Sequence, residues 1–255
     1  MPRLSFALIC CLLAATGCGA RDEALPQPDE RVDLDPAEFS AEVTNPWFPL
    51  DPGTRWTYRE TTEDGETVEV VVTATSVTRE ITNGITARVV RDTVTLDGDI
   101  IEDTIDWYAQ DEAGTVWYLG EDTAEFEDGT ITTRDGSFEA GADGAQPGVI
   151  MPASPEVGMT YRQEYYADEA EDNGEVLDLG QRATVPAGEY DDLVKTEDTT
   201  PLEPDVLEHK FYAPNVGLVL TIDKAAGGRE ELLSVTHVSP ADARRAGEAP
   251  LGEAY

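Results

Sequence analysis

Asp106–Tyr118 reads D-W-Y-A-Q-D-E-A-G-T-V-W-Y, and a second version stands at Lys210–Leu220, K-F-Y-A-P-N-V-G-L-V-L. Each places an aromatic pair just before a turn and follows it with Gly-x-Val leading into an apolar strand. Both read as one β-hairpin used twice. Landmarks on either side keep nearly the same spacing. Gly53 and Trp56 answer Gly158 and Tyr161 at an offset of 105, and Asn83-Gly84 answers Ala187-Gly188 at 104. Val89-Val90-Arg91 then meets Leu193-Val194-Lys195, Trp107-Tyr108-Ala109 meets Phe211-Tyr212-Ala213, and Asp128-Gly129 meets Gly227-Gly228. A near-constant offset over such a distance is the signature of an internal repeat.

The elements between these landmarks read as strands. Trp56 and Tyr58 alternate at period two, as do Val68, Val70, Val72 and Ala74, and then Ile85, Ala87 and Val89. Asp64-Gly65, Asn83-Gly84, Asp97-Gly98 and Asp128-Gly129 are hairpin signals, because such pairs supply the positive φ angles of tight turns. The expected fold is mainly β: two tandem homologous antiparallel curved-sheet modules, half-barrel or sandwich-like, packed as one unit. Module 1 occupies 43–138 and module 2 occupies 158–238. Between them, 139–157 is rich in Gly and Pro and reads as a linker. Residues 239–255 read as a polar, frayed tail. The repeated aromatics Trp56, Tyr58, Trp107, Tyr108, Trp117, Tyr161, Phe211 and Tyr212 are expected as structural core, since rings that recur with the module serve the module.

The N-terminus carries an address. Met1–Arg3 is a short basic start, and Leu4–Thr16 is an uncharged apolar run too short to span a bilayer but suited to an export signal. It ends A-A-T-G-C, which resembles the lipobox of bacterial lipoproteins. That resemblance implies a signal peptide over 1–17, cleavage between Gly17 and Cys18, and acylation of Cys18, with palmitate among the chains. Cys10, Cys11 and Cys18 are the three cysteines, so the body can form no internal disulfide. Residues 18–42 are acidic, rich in Pro and poor in aliphatic side chains, which predicts a disordered tether behind the acylated cysteine.

The 255 residues include 17 basic and 53 acidic side chains, for a formal net charge of -36. A field of that sign repels phosphate backbones, which argues against a nucleic-acid partner. It also repels anionic headgroups, so attachment to a membrane requires the lipid at Cys18.

Little in the sequence points to catalysis. No G-x-S-x-G, P-loop or G-x-G-x-x-G is present, and the body has no cysteine nucleophile. His209 and His237 lack the spacing of a zinc site. No cofactor is expected. The acid-rich stretch Asp168–Asn173 and Asp143-Gly144 offer oxygen ligands, so Ca²⁺ is a candidate partner, though no D-x-D-x-D-G loop appears.

The N-P-W-F-P-L opening at Asn45–Leu50, followed by Pro52-Gly53 and Trp56-x-Tyr58, resembles a group of bacterial exported proteins to which no activity is assigned. So do the stretch from Asp106, D-G-A-Q-P-G at Asp143–Gly148, and E-H-K-F-Y-A-P-N-V-G-L-V at Glu208–Val219. The likeness implies an envelope location and carries over no catalytic residue. The second module is also similar to the curved periplasmic sheets of lipoprotein carriers. The expected function is that of a non-enzymatic cell-envelope lipoprotein, a binding or structural module for a ligand or an envelope protein. Alternatives are a carrier or sensor of an apolar, lipid-like ligand held in a curved-sheet cavity, and an envelope hydrolase. An internal cavity of several hundred Å³ separates the carrier from the purely structural reading.

Overall fold

A computed structural model of the chain describes residues 25–61 and 65–255. The protein is mainly β, as expected. A 3₁₀ turn at Pro36–Glu38 leads into β1 (Phe39–Ser40). The first meander is β2 (Thr54–Thr61), β3 (Thr67–Glu80), β4 (Thr86–Leu96), β5 (Asp99–Asp111), β6 (Val116–Glu127) and β7 (Thr130–Thr133). Two short strands follow, β8 (Phe138–Glu139) and β9 (Gly148–Met151). The second meander is β10 (Thr160–Arg162), β11 (Asn173–Val185), β12 (Gly188–Thr199), β13 (Leu207–Ala213), β14 (Gly217–Asp223) and β15 (Arg229–His237). One helix, α1 (Pro240–Glu248), comes last.

Every pairing between these strands is antiparallel, and β15 pairs with β2 from Arg229↔Thr61 to His237↔Thr54. The two meanders therefore form one continuous sheet, β10 through β15 and then β2 through β7, rather than two sheets stacked face to face. Two of the sequence signals close tight turns, whereas Asn83-Gly84 lies in the longer connection from Glu80 to Thr86, with Gly84 (φ 87°) but not Asn83 at positive φ. Asp97 (φ 55°) and Gly98 (φ 94°) close one hairpin, and Asp128 (φ 52°) and Gly129 (φ 72°) another. Asp64 lies outside the described residues.

Two features curl the sheet. The register slips at bulges in both meanders, for example between Ala74 and Thr78 of β3 and between Val176 and Gln181 of β11, and bulges sharpen local twist. The segment after β8 then bridges the sheet's distant parts. Its strand β9 pairs with β6. The Gln146 N–H donates to Tyr165 O at 2.8 Å, and Arg162 Nη2 donates to Pro147 O at 2.7 Å. The approach is close enough to require glycine at 148, where a Cβ would fall 2.0 Å from the Gln163 carbonyl oxygen.

Three expectations are corrected here. Residues 139–157 are a strap rather than a linker. Ala140, Ala145, Val149 and Met151 are buried in the core, because the sheet presents β6 as a pairing edge and an apolar surface beside it. Residues 25–42, the described part of the expected tether, pack on the body: Leu25, Val32 and Leu34 touch the core, and the Arg162 N–H donates to Pro26 O at 2.8 Å. The tail is not frayed. Ser239 caps α1 by accepting from the Asp242 N–H at 3.2 Å, with Pro240 at the first helical position. Buried Ala243 and Ala246 mark the face that α1 lays on the outside of β3 and β4.

Beyond α1 the chain end seals a buried ion pair on that same outer surface. Arg91 and Asp103 are fully buried and bonded through the Nε–Nη2 edge of the guanidinium, with Nε donating to Oδ1 at 2.6 Å and Nη2 donating to Oδ2. The carbonyls of Ala249 and Pro250 accept from Arg91 Nη1 and Nη2 at 2.7 and 3.0 Å. The Gly252 N–H donates to Asp103 Oδ2 at 2.7 Å, and the Tyr255 hydroxyl lies 3.0 Å from Thr93 Oγ1.

Candidate functional site

Alternation along the strands decides what faces the concave side. On β2, Trp56, Tyr58 and Glu60 point inward; on β4, Val90 and Asp92; on β5, Asp106 and Tyr108; on β13, Glu208, Lys210 and Tyr212. The rings are held rather than loose. Trp56 Nε1 donates to Val216 O at 2.7 Å, and the Tyr58 hydroxyl donates to Leu218 O at 3.0 Å. Phe48, from the aromatic entry segment, sits between Tyr108 and Tyr212, with ring centres 5.2 and 6.3 Å away. Tyr108 stacks on Tyr118 at 4.8 Å. These side chains do not fill the concavity. A cavity of about 530 Å³ remains, walled by Phe48, Trp56, Tyr58, Tyr108 and Tyr212 on its apolar side.

The other part of the wall is acidic. Glu60, Asp92, Asp106, Glu208, Asp223 and Glu230 all line the cavity, against Lys210 and Arg229. Both cations are engaged. Lys210 Nζ lies 2.9 Å from Asp198 Oδ2 and 3.2 Å from Glu208 Oε2, and Arg229 Nε lies 2.9 Å from Glu231 Oε1. The register sets acids directly opposite acids: Glu60↔Glu230 across β2 and β15, Glu208↔Asp223 across β13 and β14, and Asp106↔Glu121 across β5 and β6. Like charges so placed destabilise a sheet.

Burial and mutual repulsion act on these groups. Burial pushes Asp92 well above the carboxylate range, with Asp106 and Glu230 adding to it, and Asp92 Oδ1 is buried without a hydrogen-bond partner in the protein. Burial raises Glu230 to about 7. Asp106 is raised by burial to about 7, and Glu121 by burial and the charge of Asp106 to about 8. Tyr118 joins this last pair, its hydroxyl 2.7 Å from Asp106 Oδ1 and 2.8 Å from Glu121 Oε2. A phenol has one proton to donate. The second short contact is satisfied when one carboxyl keeps its proton and donates it to the phenol oxygen, so the trio shares protons as a unit near neutral pH. For Lys210 burial acts against the charge, but Asp198 and Glu208 outweigh it and raise the group well above its ordinary value.

The residues singled out from sequence fall in different places. Trp56, Tyr58, Tyr108 and Tyr212 are buried and also face the cavity; Trp107, Trp117, Tyr161 and Phe211 are buried elsewhere in the sheet. Trp107 carries the Arg79 guanidinium 4.0 Å above its ring, and Trp117 Nε1 donates to Asp111 Oδ2 at 2.9 Å. His209 Nε2 lies 3.1 Å from Glu197 Oε2, and His237 packs beside Gly53; neither lines the cavity. Among the described residues no three His, Cys, Asp or Glu side chains converge to hold a metal ion. In the Asp168–Asn173 stretch, Glu171 Oε1 accepts from the Asp168 N–H at 2.9 Å, while burial raises Asp172 above its ordinary value against the opposing effects of Thr200 and Lys210. Gly17 and Cys18 lie outside the described residues.

Sequence reasoning missed the cavity acids. A signal existed: Glu60, Asp106, Glu208 and Lys210 share strand parity with the aromatics beside them, as in W-T-Y-R-E at Trp56–Glu60, and Asp92 shares it with Val90.

No family model matches this chain, and no curated protein matches it. Two solved structures are similar to it. One is described as an exported protein with a YmcC-like fold from Bacteroides fragilis, with 16% identity, a TM-score of 0.43, and coverage of 74% of this chain and 98% of that one. The other is described as a lipoprotein from Parabacteroides distasonis, with 14% identity, a TM-score of 0.41, and the same coverage. Both likenesses are too distant to carry a function over to this chain.

Proposed function

We propose that the chain is a non-enzymatic binding protein of a bacterial cell envelope, tethered to a membrane through acylated Cys18, whose ligand occupies the concave cavity. The observation that carries this reading is the space of about 530 Å³ behind Trp56, Tyr58, Tyr108 and Tyr212. Curved sheets with a filled concavity are scaffolds; one that keeps a ring-lined opening of this size has the volume of a small-molecule site. Neither histidine lines the cavity, and no serine or cysteine does, so the wall holds no Ser–His or Cys–His pair. The lipobox-like A-A-T-G-C supplies the anchor in this reading, and a multiply acylated cysteine holds far more firmly than a single chain would.

Val72 stands on the cavity wall, so Val72→Trp fills the space. The neutral fluorophore Nile red is expected to bind the full chain saturably at one site and to lose that binding in Val72→Trp. Absence of saturable binding by the unaltered chain would refute the cavity reading. Mass spectrometry of the mature protein is expected to find Cys18 as the acylated first residue, and an unacylated terminus would remove the anchor.

A further inference from the structure

We propose that this cavity takes an organic cation: an ammonium group carried on an apolar chain or ring. The inference rests on the cavity being a ligand site, as proposed above. The wall combines two features that such a ligand alone satisfies together. Its rings, Phe48, Trp56, Tyr58, Tyr108 and Tyr212, bury an apolar body, and the faces of aromatic rings attract cations. Its carboxyls outnumber its cations, six to two.

The acids are not there to neutralise the wall's own basic groups. Lys210 already has Asp198 and Glu208, and Arg229 already has Glu231. That leaves Glu60, Asp92, Asp106 and Asp223 in no ion pair among the described residues, Glu230 with the nearby charge of Lys210 alone, and the shielded Asp92 Oδ1 without any protein donor. Glu60 and Glu230 face each other directly across two neighbouring strands, a placement that weakens the sheet unless positive charge comes between or beside them. Local choices that oppose stability mark functional positions.

Competing ligand classes fit less well. A bare acyl chain would strip water from these carboxyls and return no hydrogen bond or charge. An anion would find Lys210 already held by two carboxylates. A metal ion needs several oxygens converging on one point, which the described residues do not provide, and would make no use of the rings.

Three ligands of equal chain length and different charge separate these outcomes: octylammonium, octanol and octanoate, titrated calorimetrically into the full chain carrying Cys18→Ser, so that no acyl group competes. Octylammonium is expected to bind at least about tenfold more tightly than octanol, with octanoate weakest. The pair Asp92→Asn and Glu230→Gln is expected to abolish that preference while leaving octanol binding intact. Amides in place of crowded, half-buried carboxyls relieve repulsion, so the variant is expected to fold, and octanol binding reports that the cavity survives. Equal binding of octanol and octylammonium, or a preference for octanoate, would overturn the cation assignment and leave the cavity reading standing. Binding of none of the three would overturn the cavity reading beneath it.

Discussion

Asp103 on the outer face and Asp106 on the inner face lie three residues apart on β5, and their surroundings are opposite. Asp103 receives both arms of Arg91, the Thr93 hydroxyl and the Gly252 N–H. Asp106 faces Glu121 and shares one phenol with it. Strand alternation alone separates them, as it separates Arg91, which points out, from Asp92, which points in. On the outside, both oxygens of the buried Asp103 are partnered and the chain terminus covers the pair. On the inside, carboxyls are buried with too few partners and beside open space. A fold that satisfies one buried acid so fully does not leave several others wanting for lack of means. The outer surface is built for stability, and the inner one keeps crowded carboxyls beside open space, the arrangement on which the proposed ligand site rests.

Substitutions at the two acids are therefore expected to differ in sign. Asp103→Ala leaves Arg91 charged and buried, and denaturant unfolding is expected to show a loss of about 3–5 kcal/mol. An unchanged midpoint would mean that the pair is not sealed by the tail.

Asp106→Asn, Glu121→Gln and Glu230→Gln are expected to stabilise instead, each by roughly 1–3 kcal/mol at pH 8 and by little near pH 4. The sign follows from the direction of the shifts. These carboxyls have folded-state values of about 7, 8 and 7 against ordinary values of 3.8, 4.5 and 4.5. The folded state therefore holds protons that the unfolded state releases. The stability they contribute is complete below about pH 4 and is lost as pH rises toward 7–8. Melting temperature is expected to fall over that interval in the unaltered protein, and less steeply in each amide variant. A flat or rising profile would place the inner acids in an ordinary solvated setting.

The smallest effect tests how the outer cover is held. Ser239→Ala removes the α1 cap and is expected to cost about 1 kcal/mol. Because α1 leads the chain end onto Arg91 and Asp103, amide exchange at Gly252 is expected to quicken as well. Slow exchange at Gly252 in that variant would show that the terminus docks independently of the helix.

Much of this architecture was legible from local pattern. Period-two alternation placed Trp56, Tyr58, Val68 and Val70 on the buried face, and Asp97-Gly98 and Asp128-Gly129 marked hairpins. The failures share a physical cause. The Gly, Pro and acid content of residues 139–157 and of the segment before Phe39 reports how poorly a segment orders itself alone. It does not report what an already formed sheet offers it: β6 supplies hydrogen-bond partners to β9, and the core supplies contacts to Leu25, Val32 and Leu34. The tail carried its own signal, Ser239-Pro240 three residues ahead of Asp242, with Ala243 and Ala246 on one side. Of the cavity acids, Glu60, Asp106 and Glu208 were visible as residues sharing parity with the rings. Whether rings meet or leave room depends on curvature set by bulges and by the 140–152 strap, and no short pattern encodes that.

The contrast between the two faces is tested most directly by following the side-chain carboxyl carbons of isotope-labelled Asp and Glu by NMR as pH is raised. Asp106, Glu121 and Glu230 are expected to be still releasing protons near pH 7–8, and octylammonium is expected to move those midpoints downward. Carboxyls at these three positions that are fully ionised by about pH 5 would contradict that contrast.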